Sequence, residues 1–303
     1  MRQVYVSGSY LPESEARISV FDRGFLFADG VYEVTLVLDG KLVDFASHMA
    51  RLRRSLRELD MPFSLTEADL LKIHRELIGQ NNVSEGLVYL QITRGAADRD
   101  FIFPTRDTPN TVVLFTQEKA FVENPVAIRG QHVITVEDLR WRRCDIKTVQ
   151  LLYPSMAKMQ AKSRGADDAW LVRDGYVTEG SSNNAHIVTS DGTIVTRDLS
   201  SDILHGITRA VVLQCASELH LRVEERPFTV VETRLATEAF STSSSGLVNP
   251  VVRIEAEHRR SSVDRRRCSL RRQTSIRNLP VALLRAHIDR ANSSTPDASP
   301  ARE

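Results

Sequence analysis

The 303-residue chain carries 40 basic and 39 acidic side chains; 42% of it is hydrophobic and 26% charged, the balance of a soluble globular protein long enough for two domains. No stretch reaches the roughly 18 apolar residues of a membrane span, and the N-terminus alternates and carries acids instead of showing the basic-then-apolar layout of a secretory signal. Three scattered cysteines, Cys144, Cys215 and Cys268, exclude a disulfide framework and a zinc site, so no metal is expected and a reducing cytoplasm is the simplest location.

Residues 3–7 and 15–20 read as short alternating strands, and 31–45 as a hairpin turning at Asp39-Gly40, a dipeptide suited to positive φ. Phe45, Met49, Leu52, Leu56 and Leu59 then follow the three-and-four spacing of an amphipathic helix. A second helix is predicted to begin near Ser64, with Ser64 and Glu67 as a capping box ahead of Leu70, Leu71, Ile73, Leu77 and Ile78, and to end at Gly79. Strands follow at 87–93 and 111–116, then a linker around Asn124-Pro125.

The second half is predicted to open with a strand near 126–136, followed by a helix from Pro154 to Arg164 and a strand pair over 168–178. A strand at 185–189, a helix from Gly206 to Leu219 and strands near 221–226 and 238–242 complete it. Helices and strands alternate without the period of a barrel or a Rossmann unit, which points to an α+β fold. The expected division is an N-terminal α+β domain over 1–121, a linker at 122–125 and a C-terminal α+β, barrel-like domain over 126–255.

Lysines are scarce, and most have ordinary readings. Lys41 flanks the turn, Lys72 lies on the polar side of a helix, Lys119 sits in a charged loop, and Lys158 and Lys162 form an exposed i,i+4 pair. Lys147, after Cys144-Asp145-Ile146 and before a mostly apolar run, is the candidate for covalent chemistry, although an ordinary structural lysine would look the same. The Thr178-Glu179-Gly180-Ser181-Ser182 turn offers one carboxylate among small hydrogen-bonding residues, suited to a cofactor nitrogen or merely to a polar loop. His205-Gly206-Ile207-Thr208-Arg209 opens a helix, and unpartnered first-turn amides with a hydroxyl favour an anion. Ser241 to Gly246 is a hydroxyl-rich loop that a linker could also provide.

The order and spacing of these segments resemble the fold-type IV, or class IV, aminotransferases over residues 3–254. The likeness rests on Phe21-Asp22-Arg23-Gly24 through Val31-Tyr32-Glu33, on His48 with Arg51-Leu52, on Asp145-Ile146-Lys147, and on the Glu179, Thr208 and Ser-rich turns. It implies a two-domain fold with pyridoxal 5′-phosphate at the domain interface. Lys147 would hold the cofactor covalently and move the substrate proton, and Glu179 would keep the ring nitrogen protonated. Arg51, Ile207, Thr208 and Ser244 would bind the phosphate, and Leu204 would pack on the ring.

The segment Thr93 to Pro104 is similar to the D-amino-acid transaminase loop that lends an arginine to the partner subunit, which implies a homodimer. In that group Tyr32, Arg99 and a histidine at position 101 hold the substrate carboxylate; here position 101 is Phe101. The missing donor costs roughly 1 kcal/mol, whereas the retained arginine carries the stronger charge-assisted contact. The expected reaction takes the amino group of a D-amino acid, D-alanine above all, to 2-oxoglutarate, giving D-glutamate. A branched-chain L-amino-acid transaminase, an R-selective amine transaminase and an aminodeoxychorismate lyase are the alternatives.

From residue 256 the text changes: eleven arginines, no lysine and five acids, then Ser, Pro and Ala to the end. The resemblance stops there. An arginine-rich tail is a nucleic-acid signal in some proteins, but with 34 arginines against 6 lysines in the whole chain we read this one as a disordered extension or the product of a reading-frame shift in a GC-rich gene.

Overall fold

The computed structural model describes residues 1–121, 124–255 and the pair 268–269. The reading of 256–303 as a frame-shifted or disordered tail therefore lies outside the described residues, except that Cys268–Ser269 forms a short strand.

The first half contains β1 (Gln3–Val6), β2 (Ser9–Pro12), α1 (Arg23–Phe27), β3 (Gly30–Leu38), β4 (Lys41–Leu42), α2 (Phe45–Glu58), α3 (Glu67–Gln80), β5 (Gly86–Thr93) and β6 (Val112–Glu118). Its six strands form one antiparallel sheet in the order β2-β1-β6-β5-β3-β4. The apolar stripes of α2 (Met49, Leu52, Leu56) and α3 (Leu70, Ile73, Leu77, Ile78) close over Val31, Val88, Leu90, Ile92 and Leu114 of that sheet. Asp39 and Gly40, at φ 50° and 70°, make the β3–β4 turn as their sequence predicts.

Three expectations fail here for local reasons. Residues 15–20 form no strand: Ile18 and Val20 are exposed, and β1 finds its partner in β2, folded back at Ser7-Gly8 with φ 42° and 104°. The capping box of α3 is Thr66 with Asp69, not Ser64 with Glu67, because the Thr66 Oγ1 and Asp69 carboxylate exchange bonds with each other's backbone amides. Gly79 lies inside α3; the helix runs to Gln80, and Asn82 takes the left-handed turn that glycine was expected to supply.

The second half contains α4 (Pro125–Arg129), β7 (Gln131–Glu137), α5 (Leu152–Ser163), β8 (Asp168–Arg173), β9 (Tyr176–Gly180), β10 (Asn184–Val188) and β11 (Ile194–Thr196). It continues with α6 (Ile207–Glu218), β12 (Val223–Glu225), β13 (Phe228–Thr229), α7 (Val230–Leu235), β14 (Glu238–Ser243), β15 (Leu247–Glu255) and β16 (Cys268–Ser269). The strands form one mixed sheet, β12-β11-β10-β14-β15-β7-β8-β9-β13, with β16 on the edge of β15. Trp170, Ile187, Val195 and Phe228 form its buried centre, and Ala157 and Ala161 let α5 approach Ile134 and Leu171 closely.

The Asn124 side chain caps α4 with Pro125 at its first position, so the next strand starts at Gln131 rather than 126. Helix α5 starts two residues before Pro154, which fits because the first turn needs no amide donor. The long strand β15 was not foreseen; Pro250 within it argues against a central strand, yet it pairs with both β14 and β7. Among the described residues, no helix is long and apolar enough to cross a membrane.

Two buried histidines give the fold an acid limit. Burial pushes His74 down to about 4 and His186 to about 3. The unfolded chain, titrating near 6.5, takes up protons that the folded chain refuses, so stability falls as pH drops below that value by about 1.4 kcal/mol per pH unit for each histidine. Urea unfolding between neutral pH and pH near 5 should show this slope, flattened by one histidine's share in His74→Gln; an unchanged slope in that variant would refute the assignment.

Candidate active site

Lys147 lies on the connection that leaves β7, runs past the first sheet and enters α5. The connection is stitched to β3: Tyr32 N–H donates to the Lys147 carbonyl at 3.0 Å, and Val149 N–H to the Gly30 carbonyl at 3.1 Å. Asp145 is held by Arg54 (2.5 Å) and Arg143 (3.1 Å), whose charges outweigh burial and keep the carboxyl below its usual range. The Lys147 Nζ stands 4.2 Å from the Tyr32 ring centroid and makes no ion pair among the described residues. An amine that faces an aromatic ring and is tied to no carboxylate is free to reach a ligand in the space beside it.

A cavity of about 690 Å³ opens around it, lined by Tyr32, Arg51, Lys147, Glu179, Leu204, Ile207, Thr208 and Ser244 among others. Eight of the ten residues singled out in the sequence therefore share one cavity, although they come from both halves of the chain. Arg99 and Phe101 do not reach it: Arg99 is exposed, its guanidinium 5.4 Å from the Phe27 ring, and Phe101 is 79% exposed on the protein surface. Lys158 and Lys162 are exposed, as read from the sequence; Lys158 also borders the cavity, with its Nζ 3.9 Å from Asp168.

Glu179 is buried at the end of β9. One carboxylate oxygen accepts from Arg140 at 2.5 Å; the other accepts from Asn184 at 3.0 Å and the Leu204 amide at 3.1 Å. Burial pushes the Glu179 carboxyl up, and Arg140 opposes that rise. Burial likewise works against the Arg140 charge, but Glu179 and Asp138 outweigh it and hold the guanidinium ionised. Asp138 is itself held by Arg140, Thr178 and Arg173, so the wall behind Glu179 is a closed network of charges.

At the opposite end, α6 starts at the cavity wall, where Gly206, Ile207 and Thr208 line it and Gly206 caps the helix with no side-chain bond. Arg51 and the turn from Ser243 to Ser245 complete that end. A Cβ on Gly206 would come within 1.9 Å of Asn184 Oδ1. Asn184 cannot retreat easily, because its Nδ2 bridges Glu179 and the Leu204 carbonyl at 3.0 and 2.9 Å. Cys144 also lines the cavity, and burial pushes its thiol up to about 11, which leaves it protonated and inert.

Arg140 and Asn184 are functional neighbours that the sequence did not single out. Arg140 is one of three arginines between 140 and 143, and nothing in the spacing separates it from Arg142 or Arg143.

With this geometry in view, the known proteins agree. The sequence profile of Amino-transferase class IV matches residues 30–254, and the chain belongs to that family. A D-alanine aminotransferase from Staphylococcus aureus (strain MSSA476) is 36% identical over 259 residues, covering 85% of this chain and 90% of that one. Among solved structures, a branched-chain aminotransferase from Thermoproteus uzoniensis with norvaline shares the fold with a TM-score of 0.81 at 24% identity, over 96% of both chains. So does a hypothetical aminotransferase from Mycobacterium tuberculosis in its PLP-bound form, with a TM-score of 0.77 at 20% identity over 95% of this chain and 99% of that one. The fold is thus the two-domain α+β fold of fold-type IV. The chain is an aminotransferase, and its cofactor is pyridoxal 5′-phosphate.

The cavity fits that cofactor: an amine without a counter-ion, a carboxylate with acceptor capacity left on Oε1, and a helix N-terminus with an arginine suit an aldehyde, a ring nitrogen and a phosphate respectively. Gly206→Ala should therefore weaken retention of pyridoxal phosphate by tenfold or more, about 1.4 kcal/mol, while far-UV circular dichroism stays unchanged. A spectrophotometric titration with wild-type affinity would show that the Asn184 contact is dispensable.

Proposed function

We propose that this chain is a D-amino-acid transaminase, with D-alanine as donor and 2-oxoglutarate as acceptor, giving pyruvate and D-glutamate. The reading is supported above all by the meeting of Lys147, Glu179 and the α6 N-terminus in one cavity, joined to the 36% identity with a D-alanine aminotransferase. When bound, pyridoxal phosphate supplies an electron sink for the pair left at the substrate's α-carbon. Lys147 Nζ then holds and returns the α-proton, with the Tyr32 ring steadying its charged form. Glu179, as the carboxylate that Arg140 pairs with and directs, accepts from the ring nitrogen and so keeps the proton there. Arg51, the Ile207 and Thr208 amides and Ser244 hold the phosphate, and Leu204 packs on the ring.

Tyr32 holds the substrate carboxylate together with Arg99 of the partner subunit in a homodimer. In support, Phe101, Ile102 and Phe103 beside Arg99 are 79%, 77% and 54% exposed, and Phe21 and Phe25, on a segment paired with residues 96–97, are exposed too; such apolar surface marks an interface. Phe101 takes the place of a polar donor at the mouth of that neighbouring site. Two free thiols, Cys144 and Cys215, favour the cytoplasm. No nucleic-acid partner is proposed.

A half-reaction screen tests the reading. D-Alanine should bleach the visible cofactor band, whereas L-leucine and an R-configured arylalkyl amine should not; bleaching by L-leucine alone would make the chain a branched-chain enzyme. Pyruvate released without a keto-acid acceptor would make it a lyase. Lys147→Ala should lose the band and at least about 10⁴-fold in turnover, the upper range of acid–base catalysis.

A further inference from the structure

Behind the phosphate end of the cavity lies a buried cluster without an assigned role. The Glu33 carboxylate on β3 accepts from Arg51 Nε at 2.8 Å and Arg51 Nη2 at 2.7 Å, and its Oε2 stands 2.8 Å from His48 Nδ1. Arg51 Nη1 donates to the His205 carbonyl at 3.1 Å. Burial pushes the Glu33 carboxyl up, but Arg51 outweighs it and brings the group down to about 2. Glu33 is therefore an acceptor only, so His48 Nδ1 must be the donor and His48 Nε2 is the nitrogen left to titrate.

This cancels the charge of Arg51 before any ligand arrives. A phosphate ester with nearly two negative charges at neutral pH meets a neutral Arg51–Glu33 pair rather than a bare cation. His48 lines a small void of about 20 Å³ with Asp44 on one side and Ile207, Thr208 and Ser244 of the phosphate end on the other. That volume accepts one water molecule, enough to connect the imidazole with the phosphate hydroxyl ligands. The charged or titratable groups facing His48 are Glu33 from β3, Arg51 and Asp44 from α2 and its cap, and His74 from α3. The second domain presents only Ile207, Thr208, Val211, Ser244 and Leu247 to the void, none of them ionisable.

We propose that His48 is a positioning residue for the cofactor phosphate, which takes up a solvent proton on Nε2 when the phosphate binds. Glu33 is then shared between two cations, and Arg51 regains positive charge to direct at the phosphate. In the unliganded protein burial, reinforced by Arg51, keeps the imidazole neutral despite Glu33. The second negative charge of the phosphate reverses that balance. The proposal rests on the reading that the phosphate sits at Arg51 and α6.

Calorimetric titration of cofactor-free full-length chain with pyridoxamine 5′-phosphate, in two buffers of different ionisation heat, measures the protons taken up. At about pH 7.5, above the ester's own titration near about 6, wild type should take up close to one proton more than His48→Gln, whose amide still reaches Glu33. The wild-type dissociation constant should rise towards tenfold per pH unit relative to the variant. Equal uptake by the two proteins overturns the coupling and leaves the cofactor assignment standing, whereas no binding by wild type overturns both. Nitrogen-15 shifts of His48 in wild type give a second readout independent of the variant's folding. Protonation of Nε2 on adding pyridoxamine phosphate supports the proposal. A ring that stays neutral, or one that protonates equally with phosphate-free pyridoxamine, overturns it.

Discussion

The hydrogen bonds between β3 and the backbone around Lys147 are the constraint on which the site depends. A fourteen-residue connection crossing the surface would ordinarily be mobile. Here the Lys147 carbonyl and the Val149 amide are paired with Tyr32 and Gly30 of the other sheet, and the Asp145 carboxylate is clamped by two arginines. The lysine thus belongs mechanically to both sheets. The cavity is built from both halves of the chain, because Tyr32 and Arg51 come from the first and Glu179, Thr208 and Ser244 from the second.

The two ends of the cavity use one device for different purposes. At each end a buried carboxylate is gripped by an arginine, Glu179 by the partly buried Arg140 and Glu33 by the buried Arg51. Breaking such a pair from one side costs about 3–5 kcal/mol, because the remaining charge is stranded away from water. At the Glu179 end the carboxylate faces the cavity and the arginine supports it from behind. At the Arg51 end the order is reversed, with the cation in front and Glu33 and His48 behind. The polarity of the site, negative towards a ring nitrogen and positive towards a phosphate, follows from which partner of each pair comes forward.

Much of the framework was legible in local sequence. Helix α2 appeared from its apolar spacing and the β3–β4 turn from Asp39-Gly40, since periodicity and positive-φ preferences act within a few residues. Elements that depend on distant partners were not. Residues 15–20 alternate like a strand but find no partner, whereas β15 contains a proline and still becomes central because β14 and β7 flank it. The capping box of α3 lies two residues later than expected, because Thr66 and Asp69 make the reciprocal bonds that Ser64 and Glu67 were expected to make.

The sequence by itself determined the reactive types and their order: a lone unusual lysine, one carboxylate in a small-residue turn, and a glycine-led helix start. It did so because those choices are dictated by chemistry local to each segment, and because their order resembles one family's. Only the tertiary structure decided that Arg140, and not Arg142 or Arg143, grips Glu179, that Asn184 leaves no space for a side chain at position 206, and that Glu33 and His48 stand behind Arg51. Those are contacts between residues up to 39 positions apart, and no spacing along a chain encodes which of several like side chains the fold will turn inward.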